Sequence, residues 1–133
     1  MDAVRWARWL FGSNAAINLA ISVRGLVDPR GYAASFGVEA GELAWLVRLW
    51  MGLVLMFGAL FLLVALDPRR NAALAKVNWA EKTVTATCVT LGFAQGEVPG
   101  SLMLLVVATN WLWIPFLLWN DVALRRAVRS PQA

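Results

Sequence analysis

The chain has 133 residues, of which 60% are hydrophobic and only 15% charged, with a formal net charge of +4. Ordinary soluble domains carry roughly 25% charged residues, so the composition excludes a water-facing surface of the usual kind and points to lipid as solvent. Histidine is absent and Cys88 is the single cysteine, which excludes His-ligated metal or haem, a histidine general base and an internal disulfide.

A spanning helix takes about 20 mostly apolar residues, so four spans are expected to use nearly the whole chain as one unit, residues 1–133. The first span is expected over about 6–27, behind Arg5 and Arg8. It is longer than the apolar part of a signal peptide and is read as a span. The Asp28-Pro29-Arg30-Gly31 turn follows, and Tyr32, Phe36 and Val38 make the connection amphipathic enough to lie at the interface. The second span, about 43–66, is the most apolar and ends in the basic turn Asp67-Pro68-Arg69-Arg70-Asn71. The third, about 72–94, is the least apolar and carries Lys76, Asn78, Glu81 and Lys82. The turn from Gln95 to Gly100 leads to a fourth span, about 101–119, which contains Pro115. A polar, basic tail is expected after Asp121. No internal repeat is visible.

The fold class implied is all-α: an antiparallel four-helix bundle in a bacterial inner membrane. Arg5, Arg8, Arg69, Arg70, Lys76, Arg125, Arg126 and Arg129 fall on one side of the spans, against Arg24 and Arg30 on the other. The positive-inside rule then puts both termini in the cytoplasm. Trp6, Trp9 and Trp119 suit the inner interface and Trp45 the outer one. The basic residues form no patch with interleaved aromatics, so nucleic acid is not expected as a partner; the partner expected is the lipid bilayer.

Polar residues within the spans carry the functional expectation. With antiparallel helices, residues equidistant from a turn share a depth. Asn14 is then level with Met56, Lys82 and Trp113, and Thr85 with Asn110. Arg48 lies nearer the outer surface, level with Ser22 and Thr90. Asn14, Asn18 and Ser22 form one stripe, while Asn78, Glu81, Lys82, Thr85, Cys88 and Gly92 share a face of the third span. Polar groups facing hydrocarbon cost several kcal/mol each, so the stripes are expected to face one another. The candidate cluster is Asn14, Asn18, Arg48, Asn78, Glu81, Lys82, Thr85, Asn110 and Trp113, roofed by Arg48. Glu81 and Lys82, about 100° apart around the helix, are expected to find partners on other helices. Trp113 could give Lys82 a cation–π contact or act as filler. Three readings stay open: a ligand or proton site, an internal network fixing helix register, and snorkelling of Glu81 and Lys82 to the headgroups. Gly12, Ala16 and Ala20 form a small-residue stripe suited to close helix packing, within the bundle or in a dimer. Pro115 leaves the Trp111 carbonyl without its helical donor.

The order Gly25-Leu26-Val27-Asp28-Pro29, Phe36-Gly37, Arg48 followed by Gly52 and Gly58, then Asp67-Pro68, resembles the layout of DoxX-like proteins over roughly residues 5–120. The resemblance implies a small bacterial four-helix membrane protein. It also implies an association of some members with quinone-linked oxidation, and an arginine at Arg48 where such proteins often place one. No catalytic residue is implied. With neither a catalytic nor a metal-binding set, the leading expectation is a non-enzymatic module that holds a lipid-like or quinone-like molecule or serves as an accessory subunit. No dedicated cofactor is expected, but a bound lipid or quinone is compatible, as is a homodimer or larger complex. The alternatives are a proton-coupled carrier working as a dimer through Glu81, and an intramembrane enzyme with Glu81 as general acid and Trp111 or Trp113 stabilising a cation.

Overall fold

The computed structural model describes residues 2–129, and all regular structure among them is helical. Helix α1 (Ala3–Val27) starts on Asp2, whose carboxylate accepts the Val4 N–H at 3.1 Å, a side-chain cap for an otherwise unpaired donor. At its far end the Asp28 carboxylate accepts the Gly31 N–H at 2.9 Å and starts α2 (Pro29–Ala34), with Pro29 opening the first turn. The expected interfacial connection is therefore a short helix, and Tyr32 is buried in it. Helix α3 (Ala44–Leu66) follows a 3-10 turn at Gly41–Leu43. The Asn71 amide donates back to the Leu63 carbonyl at 2.8 Å and the Asp67 carbonyl at 3.1 Å, satisfying acceptors left free where α3 ends. Helix α4 (Ala75–Ala94) has a 3-10 lead at Ala72–Leu74. The last helical stretch comprises α5 (Gly100–Val106), a π turn at Val107–Trp111 and α6 (Ile114–Arg129).

Three stretches are long and apolar enough to cross a membrane: Ala3–Val27, Gly41–Leu66 and Gly100–Arg129. Helix α4 is not among them, because Asn78, Glu81, Lys82 and its threonines dilute the apolar residues. Trp9, Leu49, Leu63, Leu104, Leu112 and Phe116 all point outward. An apolar exterior of that extent suits hydrocarbon rather than water.

Helices α1 and α3 pack antiparallel along their lengths, and α6 covers α1 and α4. Phe11, Phe61, Val64, Leu117 and Leu124 form the fully buried centre of that packing, with the Phe11 and Phe61 rings edge-to-face at 6.4 Å. Glycine permits the close approach of α1 and α3. A Cβ at Gly58 would lie 3.2 Å from the Asn18 Cβ, and one at Gly25 would collide with the Met51 side chain. Gly12 faces Ala65 across the same seam, whereas Ala16 and Ala20 point outward. By contrast, α3 and α4 are consecutive in the chain yet touch little.

The register differs from that of symmetric hairpins. Asn18 packs beside Gly58, two residues beyond the Met56 level expected for Asn14, and Trp111 donates to Thr90 Oγ1 of α4 at 3.1 Å. In the first hairpin α2 makes the connection lopsided, and in the second the π turn adds a residue to its helix. Within the described residues the expected polar tail is helical up to Arg129. It continues α6, with Leu117, Asn120, Asp121 and Leu124 buried and Arg125 pairing with Asp121 one turn back.

Candidate functional site

The polar face of α4 sets the site. Asn78, Lys82 and Ala86, spaced by four, are buried toward the other helices. Glu81 and Thr85 sit one step around the helix, on the side of α3. The Lys82 side chain is 5% exposed and that of Glu81 9%, and Lys82 Nζ lies 3.7 Å from Glu81 Oε2. The two neighbours therefore pair with each other, because the lysine's long flexible stem bends across the angle between them. Thr85 Oγ1 donates to Glu81 Oε1 at 3.3 Å, and Lys82 Nζ makes a long hydrogen bond to Asn18 Oδ1 at 3.4 Å. A buried ion pair is tolerable only when each charge has such partners. Pairing is incomplete: Glu81 Oε2, Asn18 Nδ2 and both amide atoms of Asn78 are buried without a hydrogen bond among the described residues.

Two cavities meet at this network. A crevice of about 600 Å³ separates α3 from α4, walled by Trp50, Leu53 and Phe57 on one side and Trp79, Ala80 and Val84 on the other. Glu81 and Thr85 also line it. An inner cavity of about 50 Å³, enough for one or two waters, is bordered by Asn18, Tyr32, Lys82 and Asn110. Trp50, Val54, Glu81 and Thr85 line both spaces, so Glu81 stands on the partition between an apolar crevice and a polar interior. Chemically, the arrangement offers the Glu81 carboxylate and the Thr85 hydroxyl to the apolar crevice, and an ammonium and two amides, from Lys82, Asn18 and Asn110, to the inner cavity behind it.

Asn110 enters the inner cavity from the π turn, its amide donating to Thr109 Oγ1 at 2.9 Å. Pro115 has no N–H to offer the Trp111 carbonyl, and the irregular backbone lies directly before it. Tyr32 approaches from α2. Burial raises its phenol above the usual pKa, against the opposing field of Arg24, whose guanidinium lies 5.9 Å above the Tyr32 ring.

Three candidate residues fall outside this junction. Asn14 is buried but donates to the Leu10 carbonyl of its own helix at 2.9 Å, so its polarity is absorbed locally. Arg48 is exposed, its Nε 3.4 Å from the Leu26 carbonyl, and it borders a separate surface pocket with Asp28 and Arg30; it does not roof the interior. Trp113 donates to the Ala108 carbonyl at 3.0 Å and packs against the apolar core as filler. Asn78 is buried next to the network but lines neither cavity.

Sequence reasoning missed Trp50 and Val54. They share a face of α3 at a spacing of four, but in a helix apolar on every side that face carries no contrast. It also missed Asp121, which is buried and accepts the Trp79 indole N–H at 3.2 Å as well as Arg125. Its position after the last apolar run put it outside the expected spans. Comparison of the chain with protein-family models, curated proteins and solved structures gives no match.

Proposed function

We propose that the chain is a four-span, non-enzymatic membrane protein of DoxX-like layout that binds a lipid-like or quinone-like molecule in the crevice between α3 and α4. Its apolar body lies between Trp50, Leu53, Phe57 and Val84, and its polar group meets Glu81 and Thr85. The observation that carries this reading is the crevice itself. It is an apolar slot of about 600 Å³, within the size range of small-molecule sites, and it is lined by Glu81, whose buried Oε2 faces Lys82 Nζ at 3.7 Å and has no hydrogen bond among the described residues. A purely structural network would close its helices around the ion pair. Here α3 and α4, the two walls of the crevice that Glu81 lines, touch little.

The test uses decylubiquinone as probe, with its retention by the detergent-purified protein read by native mass spectrometry. Ala80→Phe fills the slot from its wall and Glu81→Gln removes the carboxylate. Saturable retention by the wild type, weakened about tenfold or more by either change (about 1.4 kcal/mol), is the expected result. Retention that does not saturate, or that is equal in all three proteins, contradicts the reading. The same reading places the eight-cation end of the bundle on the cytoplasmic face of a bacterial inner membrane, supported by the charge bias of the sequence.

A further inference from the structure

A second pocket lies at the helix end where the chain's cations gather. It has a volume of about 240 Å³ and is lined by Ala72, Ala73, Lys76, Arg125, Val128 and Arg129. Among the described residues no acidic one borders it. Asp121, one turn before Arg125, is buried and already engaged by Arg125 and by Trp79. That engagement holds the Arg125 guanidinium in place while leaving its side chain 46% exposed, so a donor is preset at the pocket rather than free to wander. Lys76 and Arg129 have no ion-pair partner among the described residues. The second basic-lined pocket at this end differs in kind, since Asp2 and Asp67 stand among Arg5, Arg8 and Arg69. The apolar setting matters equally: Val128 forms one wall of the pocket, and Lys76 also lines the crevice between α3 and α4.

We infer that this pocket is a binding site for the phosphate of an anionic phospholipid headgroup, held by Lys76, Arg125 and Arg129. Three cations from two helices around one small cavity match a phosphodiester, which accepts several charge-assisted hydrogen bonds. The adjoining apolar exterior matches the chains of the same molecule, and the position among the chain's other cations puts the pocket at the depth of headgroups. The site shares only Lys76 with the crevice and stands whether or not the crevice binds an amphiphile.

The experiment equilibrates the detergent-purified full chain with equal amounts of phosphatidylglycerol and phosphatidylcholine and counts the lipids retained by native mass spectrometry. Lys76 and Arg129 are both exposed, so the paired change K76Q/R129Q leaves the fold intact. The paired change R5Q/R8Q removes the same charge elsewhere at that end. The wild type is expected to retain phosphatidylglycerol over phosphatidylcholine by about tenfold, R5Q/R8Q to keep that preference, and K76Q/R129Q to lose it. An unchanged preference in K76Q/R129Q, or an equal loss in both variants, overturns the proposal in favour of diffuse charge attraction. Displacement of the lipid by inorganic phosphate would make the pocket a phosphate site and overturn the assignment to lipid. Decylubiquinone retention measured on the wild type and on R5Q/R8Q, neither of which alters a crevice residue, reads the crevice independently.

Discussion

At the scale of single residues the account rests on Glu81 and Lys82. They are paired at 3.7 Å, almost fully shielded, and tied to Thr85 and Asn18. Each holds the other's charge in a place where a lone charge is expensive. Lys82→Ala is therefore expected to destabilise the protein by about 3–5 kcal/mol, because it strands a buried carboxylate. Replacing the pair together, as Glu81→Gln with Lys82→Met, is expected to cost much less, since no uncompensated charge remains. Unfolding titrations in detergent compare the two, and equal losses would contradict the pairing. The polar stripes were legible in the sequence because apolar surroundings make every polar residue conspicuous. What they bond to was not. Backbone spacing places Glu81 and Lys82 on different faces, and only the reach of the lysine stem brings them together. Asn14 looked equivalent to Asn18 on the same stripe, yet its amide turns to the Leu10 carbonyl while Asn18 meets Lys82.

At the scale of elements, the four long helical stretches were legible from runs of apolar residues, and their ends from Asp28-Pro29, Asp67-Pro68 and Gly96. Register was not, because it depends on features with weak sequence signatures: α2 folded within the first connection, and the π turn before Pro115. Those shifts carry Trp113 to the core and bring Trp111 to Thr90. The seam between α1 and α3 depends on Gly58, beside which Asn18 and the Leu19 side chain lie at 3.2 and 3.3 Å from a would-be Cβ. Gly58→Val is expected to destabilise by about 1–3 kcal/mol through overpacking and to push Asn18 away from Lys82. Thermal unfolding of the variant checks the first effect. A variant as stable as the wild type would mean that the seam yields easily and that the glycine is not needed for the approach.

At the scale of the whole molecule, charge and cavity are arranged along one axis. Arg5, Arg8, Arg69, Arg70, Lys76, Arg125, Arg126 and Arg129 gather where α1 begins, α3 passes to α4 and α6 ends. The opposite end holds Arg24, Arg30 and Arg48 with Asp28, Glu39, Glu42 and Glu97. If the positive-inside rule governs insertion, a C-terminal fluorescent-protein fusion is expected to fluoresce and a C-terminal alkaline phosphatase fusion to be inactive; the reverse pattern would invert the topology. Composition made the membrane setting legible, but the crevice lay beyond it, because a gap between two helices is set by how their neighbours pack and not by either helix alone. The most direct test of that crevice as a binding site is a crystal structure of the protein grown from a lipid mesophase containing decylubiquinone. The account predicts continuous density between Trp50 and Val84 that ends within hydrogen-bonding distance of Glu81. Helices α3 and α4 closed against each other, with Glu81 bonded only within the protein and no density between them, would contradict it.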